Sequence, residues 1–360
     1  MNEYKVIGID LAKNVFQICA LNQAGKVVFN KKLSRNKLSL FIRQLPSSNI
    51  AMEACGSANY WGRCFASMGH QVRLIPAQHV KPFVKRQKND ASVIAPALPY
   101  LRPSLGSNDA LAICEAALRP DIHEVPIKTI EQQDIQFIHR LRQRHTKNKI
   151  AIANQMRALL RENGIVIPAN LSQLFLNVTF ALEDTENGLS DLARKMLEGM
   201  FAELKQARQN IMELDKTIQH VIANDDMCQR LMSIPGYGPI ISTAMVAAVG
   251  NAAQFNQGRQ LSAWTGLTPR HTASGNKMTM LSTSKAGNPY LRYLLIHGAR
   301  SVVSWSHRKD DRLNRWIQRL VARRGKQKAT VALANKCARI AWVLLSKNQT
   351  YNVSNLGPKK

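Results

Sequence analysis

Near its start the chain reads Lys5-Val6-Ile7-Gly8-Ile9-Asp10, an apolar run that ends on a carboxylate. A run of this kind is typical of a buried β-strand. An acid at the tip of such a strand contributes little to folding, but it is well placed to bind a divalent cation. The sequence therefore predicts a strand that ends at one ligand of a metal site, and the other ligands must come from elsewhere in the chain.

The segments around Asp10 predict the topology of an N-terminal domain. Apolar and helical stretches follow one another in the order βββαβαβ, over residues 6–9, 15–20, 27–29, 36–45, 50–52, 60–68 and 72–75. This is the order of a ribonuclease-H-like (RuvC-like) fold, in which the first and fourth strands lie side by side. The fourth strand ends at Glu53, so Asp10 and Glu53 should meet at neighbouring strand tips. Two carboxylates that close need a cation between them.

Asp109 is a candidate third ligand, because it lies at the start of a predicted helix. An acid in the first turn of a helix also caps the turn and stabilises the helix dipole, so both interpretations stay open. Residues 91–107, just before this helix, contain three prolines and a glycine. They predict an irregular insertion in the N-terminal domain.

Charge points to a nucleic-acid partner. The 360 residues carry a formal charge of +27, and residues 227–360 hold 21 Lys and Arg against two acids, Asp310 and Asp311. A solvated surface would mix both signs, so this stretch predicts a polyanionic partner, with a general solubility feature as the alternative.

Composition also limits where the protein can act. No apolar run approaches about 18 residues, which excludes a membrane span. The first residues lack the pattern of a secretory signal, and the six cysteines form no C-x-x-C pair. Reduced thiols predict a cytoplasmic protein.

A helical region predicted over residues 126–226 offers a basic face and an apolar seam. Residues 139–161 hold seven Lys and Arg and no acid, so one helix face could lie along phosphates. The candidate contacts are Arg140, Arg142, Arg144 and Lys147. Further on, apolar residues alternate in spacings of three and four, at Leu197, Met200, Leu204, Ala207, Ile211, Leu214, Ile218 and Val221. This spacing predicts a coiled coil, either an antiparallel arm or a dimer zipper.

The C-terminal region, residues 227–350, opens with the glycine-rich sequence IPGYGP at 234–239. Backbone amides at Gly236 and Gly238 could contact a phosphate, as in helix-hairpin-helix modules, or the segment is a plain turn between packed helices. Residues 267–275 and 284–288 have no regular period and predict polar loops that carry function. Candidate nucleic-acid contacts in and beside these loops are Arg270, Lys277, Lys285 and Arg292.

Ser274 is a candidate nucleophile. It precedes a glycine and is flanked in sequence by Arg270, His271 and Lys277. Cations could lower the pKa of its hydroxyl or stabilise a phosphoryl transition state. The alternative is that this serine only helps to form a turn.

Together these motifs resemble one family, the DEDD-type insertion-sequence transposases of the IS-one-ten and IS-eleven-eleven group, which includes the Piv-like invertases. The matching segments span nearly the whole chain in the family's order. They are GIDLAK (8–13), MEACG (52–56), VKPF (80–83), KND (88–90), DALAI (109–113), SIPGYG (233–238), GLTPR (266–270), SG (274–275) and SKAGN (284–288), which precedes Leu291 and Arg292.

The resemblance implies a fold and a mechanism. It implies an α/β RuvC-like domain over residues 1–125, a coiled-coil linker over 126–226, and a helical transposase domain over 227–350. Members act as RNA-guided DNA recombinases, in which a serine, here Ser274, attacks a DNA phosphodiester and acids assist through Mg²⁺. The implied partners are double-stranded DNA of the element ends and the target, a structured guide RNA, and further copies of the chain in a dimer or tetramer. The resemblance implies in addition that the protein is bacterial and nucleoid-associated.

The fourth acid departs from the family pattern. The family spaces its last two acids as Asp-x-x-Asp, so both face the metal from one helical turn. Here Asp90 and Asp109 are nineteen residues apart, separated by the proline-rich stretch, and Gly106 stands three residues before Asp109. Either the insertion loops out and returns Asp90 to the site, or this copy has an impaired metal centre.

Two other functions fit the same residues. A metal-dependent junction resolvase or nuclease would use the acids alone and hydrolyse with water. An inactive nucleic-acid-binding copy would occupy DNA without cutting it. A covalent protein–DNA species separates the serine recombinase from both.

Overall fold

The computed structural model describes residues 4–84, 107–274 and 277–351. Asp90 and most of the predicted insertion at 91–107 therefore lie outside the described residues. The chain divides into two compact units, Met1–Thr129 and Ile130–Lys360. Among the described residues, no helix is long and apolar enough to cross a membrane.

The first unit is built on a five-stranded mixed sheet. Its strands are β1 (Val6–Asp10), β2 (Val15–Leu21), β3 (Val27–Ser34), β4 (Asn49–Glu53) and β5 (Gln71–Ile75), in the order β3-β2-β1-β4-β5. The first three strands form an antiparallel meander, whereas β4 pairs parallel with both β1 and β5. The predicted meander and the predicted pairing of the first and fourth strands are both confirmed.

Helices cover the two faces of this sheet with separate apolar cores. The helices are α1 (Arg35–Arg43), α2 (Ala58–Ser67), the single turn α3 (Ala77–Val80) and α4 (Ser107–Ala117). Ile7 and Ile9 point into the core beneath α1 and α2, and Val6 belongs to the core beneath α4. Because strand residues alternate between faces, Gly8 and Asp10 belong to the α4 face.

Glycine at position 8 is required by the approach of α4. A Cβ on Gly8 would lie 2.4 Å from the Ala110 carbonyl oxygen and 2.6 Å from Cys114 Sγ. The Cys114 thiol also donates to the Cys19 carbonyl of β2, at 3.3 Å. Helix α4 therefore packs directly on the backbone of β1, without an intervening side chain.

The second unit begins with a helical arm. Its helices are α5 (Ile130–Glu162), α6 (Leu171–Glu183) and α7 (Asp191–Ala223). Arg142 contacts Asp215 near one end of the α5–α7 pair, and Leu160 shares a core with Leu197 near the other, so the two helices run antiparallel. Each of the eight predicted seam residues is buried or partly buried. The seam is covered by α5 of the same chain, as an antiparallel arm requires.

The rest of the second unit is a helical bundle with a β-ribbon. Its elements are α8 (Asp226–Met232), α9 (Pro239–Val249), α10 (Gly258–Trp264), β6 (Pro269–Ser274), β7 (Lys277–Thr283), α11 (Pro289–Trp305), α12 (Arg312–Arg324) and α13 (Lys326–Ser346). The bundle core extends from Ile218 of α7 to Leu345 of α13 and is separate from the core of the arm. The predicted domain boundaries at residues 125 and 226 stay predictions.

The prediction of an irregular loop over residues 267–275 was wrong. Residues 269–274 form β6, which pairs antiparallel with β7. Residues 270–273 and 278–282 are exposed, including Met278 and Met280 at 66% and 64%. A ribbon exposed on both faces needs no alternation of apolar and polar residues, so its sequence lacks the pattern that marks a half-buried strand.

Candidate functional site

Asp10 and Glu53 lie at adjacent strand ends. In the parallel pair of β1 and β4, Ile9 is the register partner of Met52, and each acid is the next residue of its strand. Ala51 shares the α4-side core with Val6, so strand alternation assigns Glu53, like Asp10, to the α4 face. Both acids are partly buried. The predicted placement of these two residues at neighbouring strand ends is confirmed, whereas their joint binding of a metal stays a prediction.

Asp109 lies in the first turn of α4 and is partly buried. The next residue, Ala110, is the one whose carbonyl oxygen meets the backbone of β1 at Gly8, two residues before Asp10. The start of α4 is therefore held against the strand that carries the first acid. The position in a first helical turn fits capping. The packing of α4 on β1 fits metal ligation, but Asp10, Glu53 and Asp109 do not form a three-ligand group among the described residues, so ligation by Asp109 stays a prediction.

The carboxylates at these strand ends could form an open metal site, in which only part of the coordination sphere comes from the protein. Among residues 4–84, 107–274 and 277–351, no group of three or more His, Cys, Asp or Glu side chains is close enough to hold a metal ion. Asp90 lies outside these ranges. Mg²⁺ is commonly held by one or two carboxylates, with waters and substrate phosphates completing its six ligands. The pair of Asp10 and Glu53 fits that type of site, and it does not fit a closed cage made of protein alone.

Ser274 is the last residue of β6. Its register partner is Lys277, the first residue of β7, so the backbone pairs these two positions at the end of the ribbon. Arg270 belongs to the same strand and is exposed, as is His271. The sequence-predicted cluster of a serine and cations is therefore carried by one two-stranded ribbon.

The base of the ribbon is fixed by close backbone contacts. A Cβ on Gly287 would lie 1.8 Å from the Trp264 carbonyl oxygen, and one on Gly266 would lie 2.3 Å from the Ala286 carbonyl oxygen. Both glycines have positive φ, +68° and +73°. The loop at 284–288 is thus pressed against the end of α10, where a side chain at either glycine would clash.

Arg292 and Lys285 have different surroundings in this loop. Arg292 Nη1 donates to the Ala286 carbonyl at 2.8 Å and to the Thr265 carbonyl at 3.4 Å, so its guanidinium clamps the loop to α10. Lys285 is exposed and adopts a positive φ of +55°, which is uncommon for a residue with a side chain. The exposed ammonium of Lys285 suits a phosphate contact better than the engaged guanidinium of Arg292.

The glycines of the segment 234–239 differ in role. Gly236 has a φ of +85°, and a Cβ there would lie 2.8 Å from the Gly298 carbonyl of α11. Gly236 therefore belongs to a turn packed on a helix, which favours the plain-turn interpretation. Gly238 is the N-cap of α9, and no atom lies within 4 Å of an ideal Cβ there.

The basic face predicted on α5 is partly engaged within the arm. Arg140, Arg144 and Lys147 are exposed. Arg142 is not, because its Nε and Nη2 donate to the two carboxylate oxygens of Asp215 on α7, at 2.5 and 3.3 Å. Arg142 ties α5 to α7, whereas its three neighbours are accessible to a ligand.

A buried polar network was missed by the sequence reasoning. One ring nitrogen of His139 lies 2.9 Å from Thr243 Oγ1 of α9, and the other lies 3.1 Å from the Tyr290 hydroxyl of α11. Burial, and then the charge of Arg142, lower the pKa of His139 to about 4. The imidazole is therefore neutral near pH 7. The one signal in the sequence is a histidine on the apolar face of α5, which carries no information about its distant partners.

The chain is similar to transposases along nearly all of its length. Residues 228–314 match the transposase family described as IS116/IS110/IS902. The chain is 38% identical over 351 residues to the transposase for insertion sequence element IS1111A of Coxiella burnetii, covering 98% of this chain and 92% of the relative. It is 41% identical to a probable family 20 transposase of Pseudomonas aeruginosa, over 96% and 98% of the two chains. It is 33% identical to the transposase for insertion sequence element IS1328 of Yersinia enterocolitica, over 98% and 100%.

Proposed function

The chain belongs to the IS116/IS110/IS902 family of insertion-sequence transposases, and from that premise we propose that it recombines DNA by means of Ser274. The proposed substrates are double-stranded DNA at the ends of the element and at the target. The proposal rests on relatives that are named as transposases and that align with more than nine-tenths of this chain.

The proposed chemistry is a transesterification. The Ser274 hydroxyl oxygen attacks the phosphorus of a DNA phosphodiester, and its proton passes to water. The bond from phosphorus to one deoxyribose oxygen breaks, and that oxygen takes up a proton and leaves as a free hydroxyl. The cut strand is then joined to the serine as a phosphodiester, so its bond energy is kept for rejoining. Exposed Arg270 and Lys285, both in the same part of the chain, are available to stabilise negative charge at the phosphate.

Asp10 and Glu53 are proposed to hold Mg²⁺, with Asp109 and, if its segment returns to the sheet, Asp90. Bound there, the ion would supply positive charge to the phosphate oxygens of the substrate. The adjacent strand ends of β1 and β4 and the packing of α4 on Gly8 support this assignment. The strand order β3-β2-β1-β4-β5 supports a RuvC-like fold for the first unit.

A structured guide RNA and self-association complete the proposal. The exposed cations Arg140, Arg144 and Lys147 are suitable contacts for RNA phosphates along the arm. A dimer or tetramer would let two DNA ends be cut and exchanged together.

Covalent trapping tests this function. Wild type, Ser274→Ala and Asp10→Asn are incubated with end-labelled element DNA, guide RNA and Mg²⁺, and then resolved on a denaturing gel. We expect a labelled protein–DNA band with wild type and no such band with either variant. Glu198→Gln, which removes an exposed acid of the arm, is the matched control for Asp10→Asn and should keep the band.

The outcomes separate the alternatives. Cleavage that survives in Ser274→Ala while requiring Asp10 would indicate a metal-dependent nuclease. DNA binding without cleavage by wild type would indicate an inactive copy, and deletion of residues 91–106 tests its cause. A large gain of activity on deletion would locate the defect in that segment.

A further inference from the structure

Helix α12 carries a stripe of arginines that has no role in the bundle core. Arg312, Arg315, Arg319 and Arg323 are all exposed. With 3.6 residues per turn, the four positions fall within an arc of about 80° and extend over about 16 Å along the axis. Leu313 and Ile317 are buried on the opposite side of the helix. The arginines therefore form a straight, one-sided cationic face.

Acids do little to neutralise this face. Residues 308–328 contain nine Lys and Arg and only two acids, Asp310 and Asp311. Asp311 is the N-cap of α12, and its carboxylate accepts a hydrogen bond from the backbone N–H of Asn314 at 2.9 Å. Asp310 lies 3.7 Å from Arg315, with the two side chains 87% and 62% exposed. An exposed pair of this kind contributes little, so the charge of the stripe is available to a ligand.

Helix α13 adds cations beside the same face. Lys336 lies over the ring of Trp316 of α12, with its Nζ 5.1 Å from the ring centroid. Burial, then Arg339, and more weakly Arg312, lower the pKa of Lys336. Three cations are thus crowded at one place on the bundle surface. Their mutual repulsion costs free energy that a bound polyanion would relieve.

We propose that Arg312, Arg315, Arg319 and Arg323, bordered by Lys336 and Arg339, bind the phosphate backbone of double-stranded DNA. The inference rests on the proposed recombination of DNA and adds the surface that holds the duplex. Arg315, Arg319 and Arg323 lie beyond residues 228–314, the segment that matches the transposase family described as IS116/IS110/IS902.

The make-up of the face favours a duplex over single-stranded RNA. Recognition of single strands relies on aromatic rings on which bases stack. Within α12 itself the aromatic residue is Trp316, which is partly buried and has Lys336 over its ring. The exposed ring of Trp305, before the helix, has Arg308 over it. A row of guanidinium groups on a helix that has no exposed aromatic residue of its own is suited to the phosphates of a duplex. Phosphate contacts position a protein on DNA without reading the base sequence.

Salt dependence of binding tests the inference directly. The four arginines are changed together to glutamine in the full chain, and affinity for a fluorescent duplex of the element end is measured by anisotropy at several salt concentrations. The slope of log affinity against log salt should fall by roughly 3 to 4, about 0.9 for each phosphate that is no longer neutralised. Replacing the same arginines by lysine should leave the slope within about 1 of wild type, because lysine keeps the charge.

A matched control removes the same charge elsewhere. Lys26, Lys32, Lys37 and Arg43, all exposed on the first unit, are changed to glutamine, and the slope should change by less than about 1. Thermal unfolding of both quadruple variants should match wild type, because every changed side chain is exposed.

The same titrations are made with a single-stranded RNA probe. Three outcomes would overturn the inference: an unchanged salt slope in the arginine-to-glutamine variant, an equal fall of the slope in the control variant, or a fall of the slope seen with the RNA probe and not with the duplex. Failure of the proposed function is a separate result. Ser274→Ala should bind the duplex with the wild-type slope, and a wild type that binds with this slope but forms no covalent adduct would contradict the serine mechanism alone.

Discussion

Gly8 of β1 meets the carbonyl oxygen of Ala110 in α4 so closely that a Cβ at position 8 would lie 2.4 Å from that oxygen. The contact holds the start of α4, which carries Asp109, against the strand that ends at Asp10. Packing and the candidate metal site therefore depend on the same glycine.

Gly8→Ala should destabilise the protein and impair Mg²⁺-dependent activity together. The added methyl group meets backbone and the Cys114 thiol, so α4 has to shift, at a cost of roughly 1–3 kcal/mol. Urea denaturation measures the cost. Gly56→Ala is the control, because no atom lies within 4 Å of a Cβ there. Equal stability of the two variants would contradict the close packing of α4 on β1.

Gly287→Ala should be more harmful than an alanine at another glycine of positive φ. Gly25 has a φ of +75° with open space around it, so Gly25→Ala carries only backbone strain, about 1–2 kcal/mol. Gly287→Ala adds a clash with the Trp264 carbonyl. We expect a larger fall in the free energy of unfolding and loss of DNA cleavage. Similar losses in the two variants would contradict the contact between the 284–288 loop and α10.

The salt bridge of Arg142 with Asp215 should couple the two helices of the arm. Its side chains are 19% and 42% exposed, so solvent weakens the attraction. We expect a coupling energy of about 1 kcal/mol from a double-mutant cycle of Arg142→Ala and Asp215→Ala. The Arg144→Ala and Asp215→Ala pair is the control and should be additive. A coupling near zero for Arg142 would mean that its guanidinium is available to bind nucleic acid.

Stability should fall in mild acid because of His139. Its pKa is near 6.5 when unfolded and about 4 when folded, so the unfolded chain binds more protons between these values. The stabilisation that depends on a neutral His139 is complete above pH 6.5. As pH falls toward 4 it is lost, which lowers the free energy of unfolding by up to about 3 kcal/mol. Urea denaturation of wild type and His139→Gln at pH 7.5 and 5 measures it. An equal pH dependence in both proteins would contradict the buried neutral imidazole.

Sequence reasoning succeeded where one face of an element is buried. The apolar runs that end at Asp10 and Glu53 predicted two strands. Their adjacency followed from the predicted order of elements, because in a ribonuclease-H-like fold the first and fourth strands lie side by side. The seam of α7 was equally readable, since its spacing follows one helical face. The helix that covers the seam could not be predicted, because an antiparallel arm within one chain and a zipper between two chains bury the same residues.

Sequence reasoning failed where a residue contacts a partner far away in the chain, and where an element packs against no core. The ribbon of β6 and β7 is exposed, so no apolar alternation marks it. The partner of Arg142 is 73 residues away, and the partners of His139 lie 104 and 151 residues away. Nothing in the sequence distinguishes Gly266 and Gly287 from other loop glycines, whereas the structure gives each a close backbone neighbour.

Mapping the attachment site of the DNA tests the central claim most directly. Wild-type protein is trapped on element DNA, digested with nuclease and protease, and the modified peptide is sequenced by mass spectrometry. We predict one nucleotide remnant joined through phosphate to Ser274. A remnant on any other residue, or cleaved DNA with no modified peptide, would contradict the serine recombinase.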